Sequence, residues 1–175
     1  MLMAETGGYG ATSPPQGSDR ERRIDVDMDS NCRVEVRRLH DFFVEWFNDD
    51  PEHPRVEFAY VEGVLHPDFS MVLPSGVTID RTVALEQIRA AHASATGPGD
   101  VAIEIVDHST LAVAQDAALV SYQERQFSAG VMQNARISTA YFIRALDAPH
   151  GVQWYRLHET LLAADGGHGS RGNEP

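Results

Sequence analysis

The stretch Val152 to Leu162, VQWYRLHETLL, decides the fold class of this chain. Branched and aromatic residues dominate it, and the turn sequence DAPHG precedes it at residues 147–151, which together predict a β-strand. The strand also carries Arg156, His158 and Glu159, and a purely structural strand has little need for three ionisable residues. It is therefore the last strand of a predicted sheet and the first candidate for a functional site.

Four further strand-like runs precede this stretch, with alternating side chains and short turns such as Gln115-Asp116 between them. Long antiparallel strands twist and curl, and a curled sheet closed by helices encloses a hollow. The four predicted strands are Val101 to Val106, Thr110 to Ala114, Ala117 to Phe127 and Asn134 to Leu146.

Three helices are predicted before these strands. The first begins near Val34 with Ser30 or Asn31 as its cap, and its apolar residues recur at helical spacing. The second spans about Arg55 to Leu65, and the third spans about Arg81 to Ala95 with Asp80 as its cap. The aromatic stripe of the first helix, which faces either the core or a cavity, consists of Leu39, Phe42, Phe43, Trp46 and Phe47.

Helices followed by a run of strands indicate the α+β class, specifically a curved antiparallel sheet covered by three N-terminal helices. The length of 175 residues fits one domain. We expect residues 30–164 to form it. Residues 1–29 are rich in Gly, Ser, Pro and charge and are predicted to be a disordered tail, and residues 165–175 are predicted to be a flexible one.

The composition argues against several classes of function. A formal net charge of −12 would repel nucleic acid and anionic lipid, so neither is an expected partner. Cys32 is the only cysteine, no run of residues is apolar enough to span a membrane, and no signal peptide is evident, so a cytoplasmic location is expected. The histidines show no metal-ligand spacing and no phosphate-binding loop is present, so neither a metal nor another cofactor is expected.

The order of these segments resembles the nuclear transport factor 2-like (NTF2-like) superfamily, a cone-shaped α+β fold that includes ketosteroid isomerases and SnoaL-like polyketide cyclases. The resemblance covers nearly all of residues 34–162 and implies a pocket inside the cone, and often a homodimer through the outer face of the sheet. It does not settle activity, because the fold hosts enzymes and binding modules alike. The segments that carry it are WFNDD at 46–50, HPDF at 66–69, PSG at 74–76 and WYRLHE at 154–159.

Within this resemblance, ketosteroid isomerase activity is not expected. The position of the proton-abstracting Asp, directly before the Pro-x-Gly turn, is occupied by Leu73, and the position of the hydrogen-bonding Tyr on the first helix is occupied by Phe42. An alkyl group cannot accept a proton and a phenyl ring has no hydrogen to donate, so both acid–base partners are missing.

The SnoaL-like cyclases, by resemblance, place a basic carboxylate four residues after a Trp on the last strand. His158 holds that position here, four residues after Trp154, and imidazole can act as a general base near neutral pH. Regular alternation would put Trp154, Arg156 and His158 on one face and Tyr155 and Glu159 on the other. His158 is thus the candidate catalytic residue, with a structural core histidine bonded to Tyr141 or Thr139 as the alternative.

The remaining predicted pocket residues are mostly apolar or aromatic. Strand parity groups Tyr122 with Glu124 but does not say which face of the sheet is inside. For Glu124 and Arg144 a solvated face or a surface ion pair is the more common outcome. The predicted pocket consists of Phe42, Trp46, Tyr60, Phe69, Met71, Tyr122, Glu124, Tyr141, Trp154 and Arg156.

Three hypotheses about function follow. The first is a SnoaL-like domain that binds a small apolar or amphipathic molecule in the cone without established catalysis. The second is a lyase or isomerase, such as a cyclase or hydratase, with His158 as general base. The third is a non-catalytic dimerisation module. The orientation of His158 separates the first two, because a catalytic base must face an enclosed pocket with a second polar group in reach.

Overall fold

The computed structural model describes residues 19–97 and 99–163, with side chains from residue 27 onward. The fold is α+β, as predicted, with helices packed against one curved, unclosed sheet. Within the described residues the elements follow the order α1 (Asp19–Phe47), α2 (Ala59–Val64), β1 (Leu65–Val72), β2 (Thr78–Asp80), α3 (Arg81–Ala90), β3 (Val101–Ala114), β4 (Ala117–Ser128), β5 (Val131–Arg144) and β6 (Val152–Leu161).

The sheet has the strand order β2-β1-β6-β5-β4-β3. The prediction of a fully antiparallel sheet is wrong at one place, because β1 and β6 pair in parallel while every other pair is antiparallel. The last strand therefore lies in the middle of the sheet, between β1 and β5. Parallel pairing between elements so far apart in sequence leaves no hairpin turn to detect, which is why the sequence pattern did not reveal it.

Helix α1 begins much earlier than predicted. It starts at Asp19 and runs through Ser30 and Asn31, so neither residue is its cap. Met28 is fully buried in the core, which places part of the predicted disordered tail in the folded unit. The charged composition of this segment suggested a tail, but a few buried contacts against β3 stabilise it as helix. The rest of the predicted tails, residues 1–18 and 164–175, lies outside the described residues.

The other element boundaries differ less. The Asp80 side chain accepts a hydrogen bond from the backbone N–H of Val83 at 3.0 Å, which confirms the predicted cap of α3. The two predicted strands at residues 101–106 and 110–114 are one strand, β3, because the turn expected near Asp107 is a bulge in which Asp107 has a φ of 53°. Helix α2 is shorter than predicted, and β1 follows it directly at Leu65.

The core lies between α1 and the inner face of β4, β5 and β6. Residues on α1 at helical spacing, among them Cys32, Val36 and Leu39, are buried there. They face alternate residues of the strands, since every second side chain of a strand points to the same face. None of the helices in the described residues is both long enough and apolar enough to cross a membrane. The aromatic helix and the central strands thus form the two walls of any interior space.

Candidate functional site

A cavity of about 220 Å³ lies between α1, α3 and the inner face of the sheet, and we call it the inner cavity. Most of its wall is apolar. Phe43 and Phe47 lie one helical turn apart on α1, and their rings stack with centroids 5.9 Å apart. Leu73, at the end of β1, and Leu157, on β6, contribute further apolar surface. Space of this size and lining fits a small organic molecule better than bulk water.

A buried His–Glu pair forms part of the polar end of the inner cavity. Nδ1 of His40 lies 2.6 Å from the carbonyl oxygen of Val36, and because a carbonyl oxygen can only accept, Nδ1 must carry a hydrogen. Nε2 of His40 lies 3.3 Å from Oε2 of Glu124, which belongs to β4. A second proton therefore lies between the two groups, held by either the ring or the carboxyl group.

Opposing influences act on the carboxyl group of Glu124. Burial raises its pKa, but the hydrogen bond from His40 and the nearby charges of His40 and Arg136 more than offset burial and hold the pKa below its usual value. Gln126 also donates from Nε2 to Oε1 of Glu124 at 2.6 Å. The carboxylate form of Glu124 is thus favoured in spite of its burial.

A second carboxylate, that of Glu159, lies at the same polar end. Arg136 donates from a guanidinium nitrogen to Oε2 of Glu159 at 2.9 Å, and Nε of Arg136 lies 3.9 Å from Oε2 of Glu124. Burial raises the pKa of Glu159, and Arg136 opposes that shift without cancelling it. Two basic and two acidic side chains thus lie together at one end of the cavity.

Two hydroxyl groups at this end have no hydrogen-bond partner among the described residues. They are the phenol of Tyr122, whose residue is 1% exposed and lines the inner cavity, and Oγ of the fully buried Ser138. Tyr122 and Ser138 are cross-strand partners, and Ser138 also faces Glu159 on β6. Burial raises the pKa of Tyr122 well above its usual value, and the neighbouring carboxylates add to the shift. The nearby Ser138 hydroxyl lowers this pKa only in part, so the phenol is a neutral group that can donate its hydrogen to a molecule in the cavity.

Behind the cavity wall lies a separate buried polar cluster centred on Glu35. This carboxyl group accepts from Nε1 of Trp154 at 3.0 Å and from the hydroxyl of Tyr60 at 3.3 Å, and Nδ1 of His150 lies 2.7 Å from it. Burial raises the pKa of Glu35, and the three hydrogen bonds partly offset this. The cluster is fully bonded and does not line the inner cavity, so it orients the Trp154 indole that forms the wall.

Half of the predicted pocket residues line the inner cavity. Phe69, Met71, Tyr122, Glu124 and Trp154 do so. Glu124 is therefore inside, against the more common outcome for a charged residue, because partners on α1 and β5 compensate its burial. Arg144, in contrast, pairs with Asp27 and Asp116 away from the cavity.

The other predicted pocket residues do not line it. Phe42 and Tyr60 flank a surface groove between α1 and the segment before α2. Trp46 is buried elsewhere, where its Nε1 donates to the carbonyl oxygen of Ile88 at 2.7 Å. Tyr141 and Arg156 are exposed on the opposite face of the sheet from Trp154. The aromatic stripe of α1 is wider than the inner cavity. Only the side of the stripe formed by Leu39, Phe43 and Phe47 lines the cavity.

The prediction that His158 faces the interior is wrong. His158 is exposed, whereas its neighbour Glu159 is buried and lines the inner cavity. The cause is a bulge in β6: Tyr141 of β5 pairs with Arg156, but the next residue, Phe142, pairs with Trp154. One extra residue on β6 moves every later side chain to the other face. The enzyme hypothesis based on His158 therefore falls.

Three residues of the polar end were missed from the sequence. His40 precedes Phe43 by three positions and follows Val36 by four, so helical spacing alone could have placed it on the buried stripe. Arg136 shares its parity with Ser138, which could have placed both on one face. Nothing in the sequence signals the bulge that turns Glu159 inward.

Among solved structures, an NTF2-like protein of unknown function from Pseudomonas aeruginosa is 30% identical, with a TM-score of 0.66, and the match covers 76% of this chain and 99% of that one. An NTF2-like protein from Cytophaga hutchinsonii is 12% identical, with a TM-score of 0.51 and coverage of 74% and 95%. An uncharacterised cystatin-like fold protein from Caulobacter vibrioides is 17% identical, with a TM-score of 0.51 and coverage of 75% and 89%.

Neither a protein-family model nor a curated protein matches the sequence. The Pseudomonas aeruginosa structure is similar over almost its whole length, and the other two show the same fold. The chain belongs to the NTF2-like superfamily, of which the SnoaL-like proteins are members.

Proposed function

We propose that this protein binds a small, mainly apolar and electrically neutral molecule in the inner cavity. The observation that carries the proposal is the Tyr122 hydroxyl, which is buried on the cavity wall and has no partner among the described residues. A buried polar group without a partner is costly, and a ligand oxygen would compensate it. The apolar remainder of the ligand would contact Phe43, Met71 and Leu157.

The charges around the cavity favour a neutral ligand. Two carboxylates already lie at this end, Glu159 bonded to Arg136 and Glu124 beside His40, so a third carboxylate from a ligand would be repelled by both. A ligand cation would in turn lie beside Arg136 and His40. A carbonyl or hydroxyl oxygen can bond Tyr122 without adding a charge to a buried site.

Binding of the neutral fluorescent probe N-phenyl-1-naphthylamine tests this proposal. The wild type is expected to bind one probe per chain. Ala84→Trp fills the inner cavity from α3 and is expected to weaken binding about tenfold or more, which corresponds to at least about 1.4 kcal/mol. Ala102→Trp adds the same bulk at an exposed position of β3 and should bind like the wild type.

Circular dichroism verifies that both variants fold. Absence of stoichiometric binding by the wild type, or equal binding by Ala84→Trp and the wild type, would contradict the proposal. Native mass spectrometry of freshly purified protein adds an independent readout, since a copurifying neutral molecule would be lost in Ala84→Trp alone.

A second candidate function is proton transfer to and from the bound molecule. The observation that favours it is the fixed Nδ1–H of His40, which leaves one mobile proton between Nε2 and Glu124. The Glu124 carboxylate would accept a proton from the carbon next to a ligand carbonyl, while Tyr122 donates a hydrogen bond to that carbonyl oxygen. The hydrogens on the carbons next to the carbonyl of 2-heptanone would then exchange with D₂O faster in the presence of the wild type than of His40→Gln. Equal exchange rates would contradict proton transfer and leave ligand binding as the only proposed function of the cavity.

We further propose that the chain forms a homodimer through the outer face of the sheet. Tyr141 and Tyr155 are more than a third exposed there, with ring centroids 6.0 Å apart, and Ile137 is exposed on the same face of β5. An exposed apolar surface on a sheet face is typical of a protein interface. The resemblance to the NTF2-like superfamily also implies a homodimer through this face of the sheet.

The cytoplasmic location stays a prediction from the sequence.

Light scattering at micromolar concentration tests the dimer. The wild type is expected to have twice the mass of one chain, and Tyr141→Lys to have the mass of a single chain, because a charge in a buried apolar interface is unfavourable. Leu146→Lys is the matched control, since Leu146 is 84% exposed in the turn after β5. A wild type with single-chain mass would refute the proposal, as would a dimer of Tyr141→Lys.

A further inference from the structure

A second cavity of about 240 Å³ adjoins the inner cavity, and we call it the outer cavity. Three residues line both of them: Phe47 at the end of α1, Ile103 on β3 and Gln126 on β4. Because these side chains belong to the wall of both cavities, the two spaces lie next to each other, and we call this shared wall the junction. A molecule longer than the inner cavity would pass between these three side chains.

The junction has well-defined walls. Ile103 and Gln126 are cross-strand partners, so their side chains lie next to each other on the same face of the sheet. Gln126 donates to Glu124 at 2.6 Å and accepts from Nδ2 of Asn134 at 3.0 Å, which holds its amide in place. The amide is thus engaged on both sides, and Phe47 and Ile103 present apolar surface to anything in the passage.

The end of α1 is held against the outer cavity by two hydrogen bonds. Asn48 donates from Nδ2 to the carbonyl oxygen of Val101 at 2.8 Å and accepts from the N–H of Val101 at 3.1 Å. Phe47 therefore keeps a constant position beside Val101, which lines the outer cavity. The outer cavity is a built feature of the fold rather than a gap at a loose helix end.

Charge is distributed unequally between the two cavities. The inner cavity is lined by two acidic residues, Glu124 and Glu159, and two basic ones, His40 and Arg136, whereas the described residues that line the outer cavity are neither acidic nor basic. The apolar surface of the outer cavity comes from Phe47, Val101, Ile103 and Phe127, and the exposed Gln133 also lines it. The groups for polar recognition thus lie in the inner cavity, and the outer cavity suits an apolar chain.

We infer that the two cavities together bind one elongated molecule, with a neutral oxygen-containing head at Tyr122 and an apolar chain that passes Ile103 into the outer cavity. This inference rests on the proposed function and specifies its ligand class. Contact with a chain in the outer cavity would add affinity in proportion to chain length, because each buried methylene group contributes separately.

NMR titration of the full chain with 2-pentanone, 2-heptanone and 2-nonanone tests the inference. For the wild type the Kd is expected to fall about fourfold for each added methylene group. The amide signals of Val101 and Gln133 should move with the longest ketone and not with the shortest. Ser128→Trp fills the outer cavity from a residue that does not line the inner one, so it should bind 2-pentanone like the wild type and lose the gain in affinity for 2-nonanone.

Two further variants keep the result interpretable. Ala102→Trp carries the same bulk on the exposed side of β3 and should retain the full dependence on chain length. Gln133→Asp places a charge at the exposed side of the outer cavity, where folding tolerates it, and should weaken binding of 2-nonanone alone. Binding of all three ketones with equal affinity by the wild type would overturn this inference only. Absence of binding by any ketone would overturn the proposed function with it.

Discussion

Replacing Arg136 with methionine is expected to lower the free energy of unfolding by about 3 to 5 kcal/mol at neutral pH. The Arg136 side chain is 17% exposed and contacts both buried carboxylates, at 2.9 Å from Glu159 and 3.9 Å from Glu124. Methionine keeps much of the volume but removes the positive charge. Two carboxylates would then share one end of an apolar cavity with His40 as the only remaining basic residue among its described lining residues.

The loss of stability in Arg136→Met should depend on pH. The pKa of Glu159 is already raised by burial and would rise further without the guanidinium group. A carboxyl group whose pKa is raised in the folded state stabilises that state below its unfolded pKa and loses this contribution as the pH rises. The difference between Arg136→Met and the wild type should therefore be largest at neutral pH and shrink as the pH falls towards the usual range of glutamate.

Urea unfolding at several pH values measures both effects. Arg125→Met is the matched control, because Arg125 lies on the opposite face of β4 from Glu124 and should cost no more than about 0.5 kcal/mol. The double variant Arg136→Met, Glu159→Gln should recover part of the loss, since it removes the unpaired charge. An equal loss in Arg125→Met, or a loss that does not change with pH, would contradict the buried charge network.

Trp154→Ala is expected to lower the free energy of unfolding by a comparable amount, about 3 to 5 kcal/mol. Trp154 is 1% exposed, packs against Phe142 at 4.5 Å between ring centroids, and donates from Nε1 to Glu35. Alanine would leave a void between the two polar clusters and remove one donor from a buried carboxyl group. Both effects act in the same direction.

Two companion variants separate these effects by thermal and urea unfolding. Trp154→Phe keeps most of the ring volume and loses only the Nε1 hydrogen bond, so about 1 to 3 kcal/mol is expected. Tyr155→Ala removes an aromatic ring one position further on, but this ring is more than a third exposed, and a loss below about 1 kcal/mol is expected. If Tyr155→Ala were as destabilising as Trp154→Ala, the assignment of Trp154 to the buried face of β6 and of Tyr155 to the exposed face would be incorrect.

The two buried polar clusters have different roles, and Trp154 connects them. The indole ring lines the inner cavity, while its Nε1 belongs to the fully bonded Glu35 cluster behind the wall. The cavity end, by contrast, includes the Tyr122 hydroxyl, which has no hydrogen-bond partner in the part of the chain that the structure describes. A satisfied cluster stiffens the wall, and an unsatisfied one provides the group that a ligand can bond.

Part of the candidate site was predictable because local patterns determine it. The aromatic residues of α1 follow helical spacing, and Phe43 and Phe47 face the interior for that reason. Tyr122 and Glu124 share a parity that holds without interruption along β4, so they were correctly grouped together. His40 was available from the same helical pattern, but a lone histidine on an apolar helix face carries little signal until its partner is known.

The sequence by itself determined the α+β class, the order of most elements and the cap at Asp80, because propensity, periodicity and capping act between residues close in the chain. The tertiary structure decided which side of β6 is inside. β6 pairs in parallel with β1 and antiparallel with β5, and it has a one-residue bulge where it pairs with β5. Because of this bulge, Glu159 faces the cavity in place of His158. Its burial, and that of Glu124, is tolerated because their partners come from distant parts of the chain, a relation that no local pattern contains.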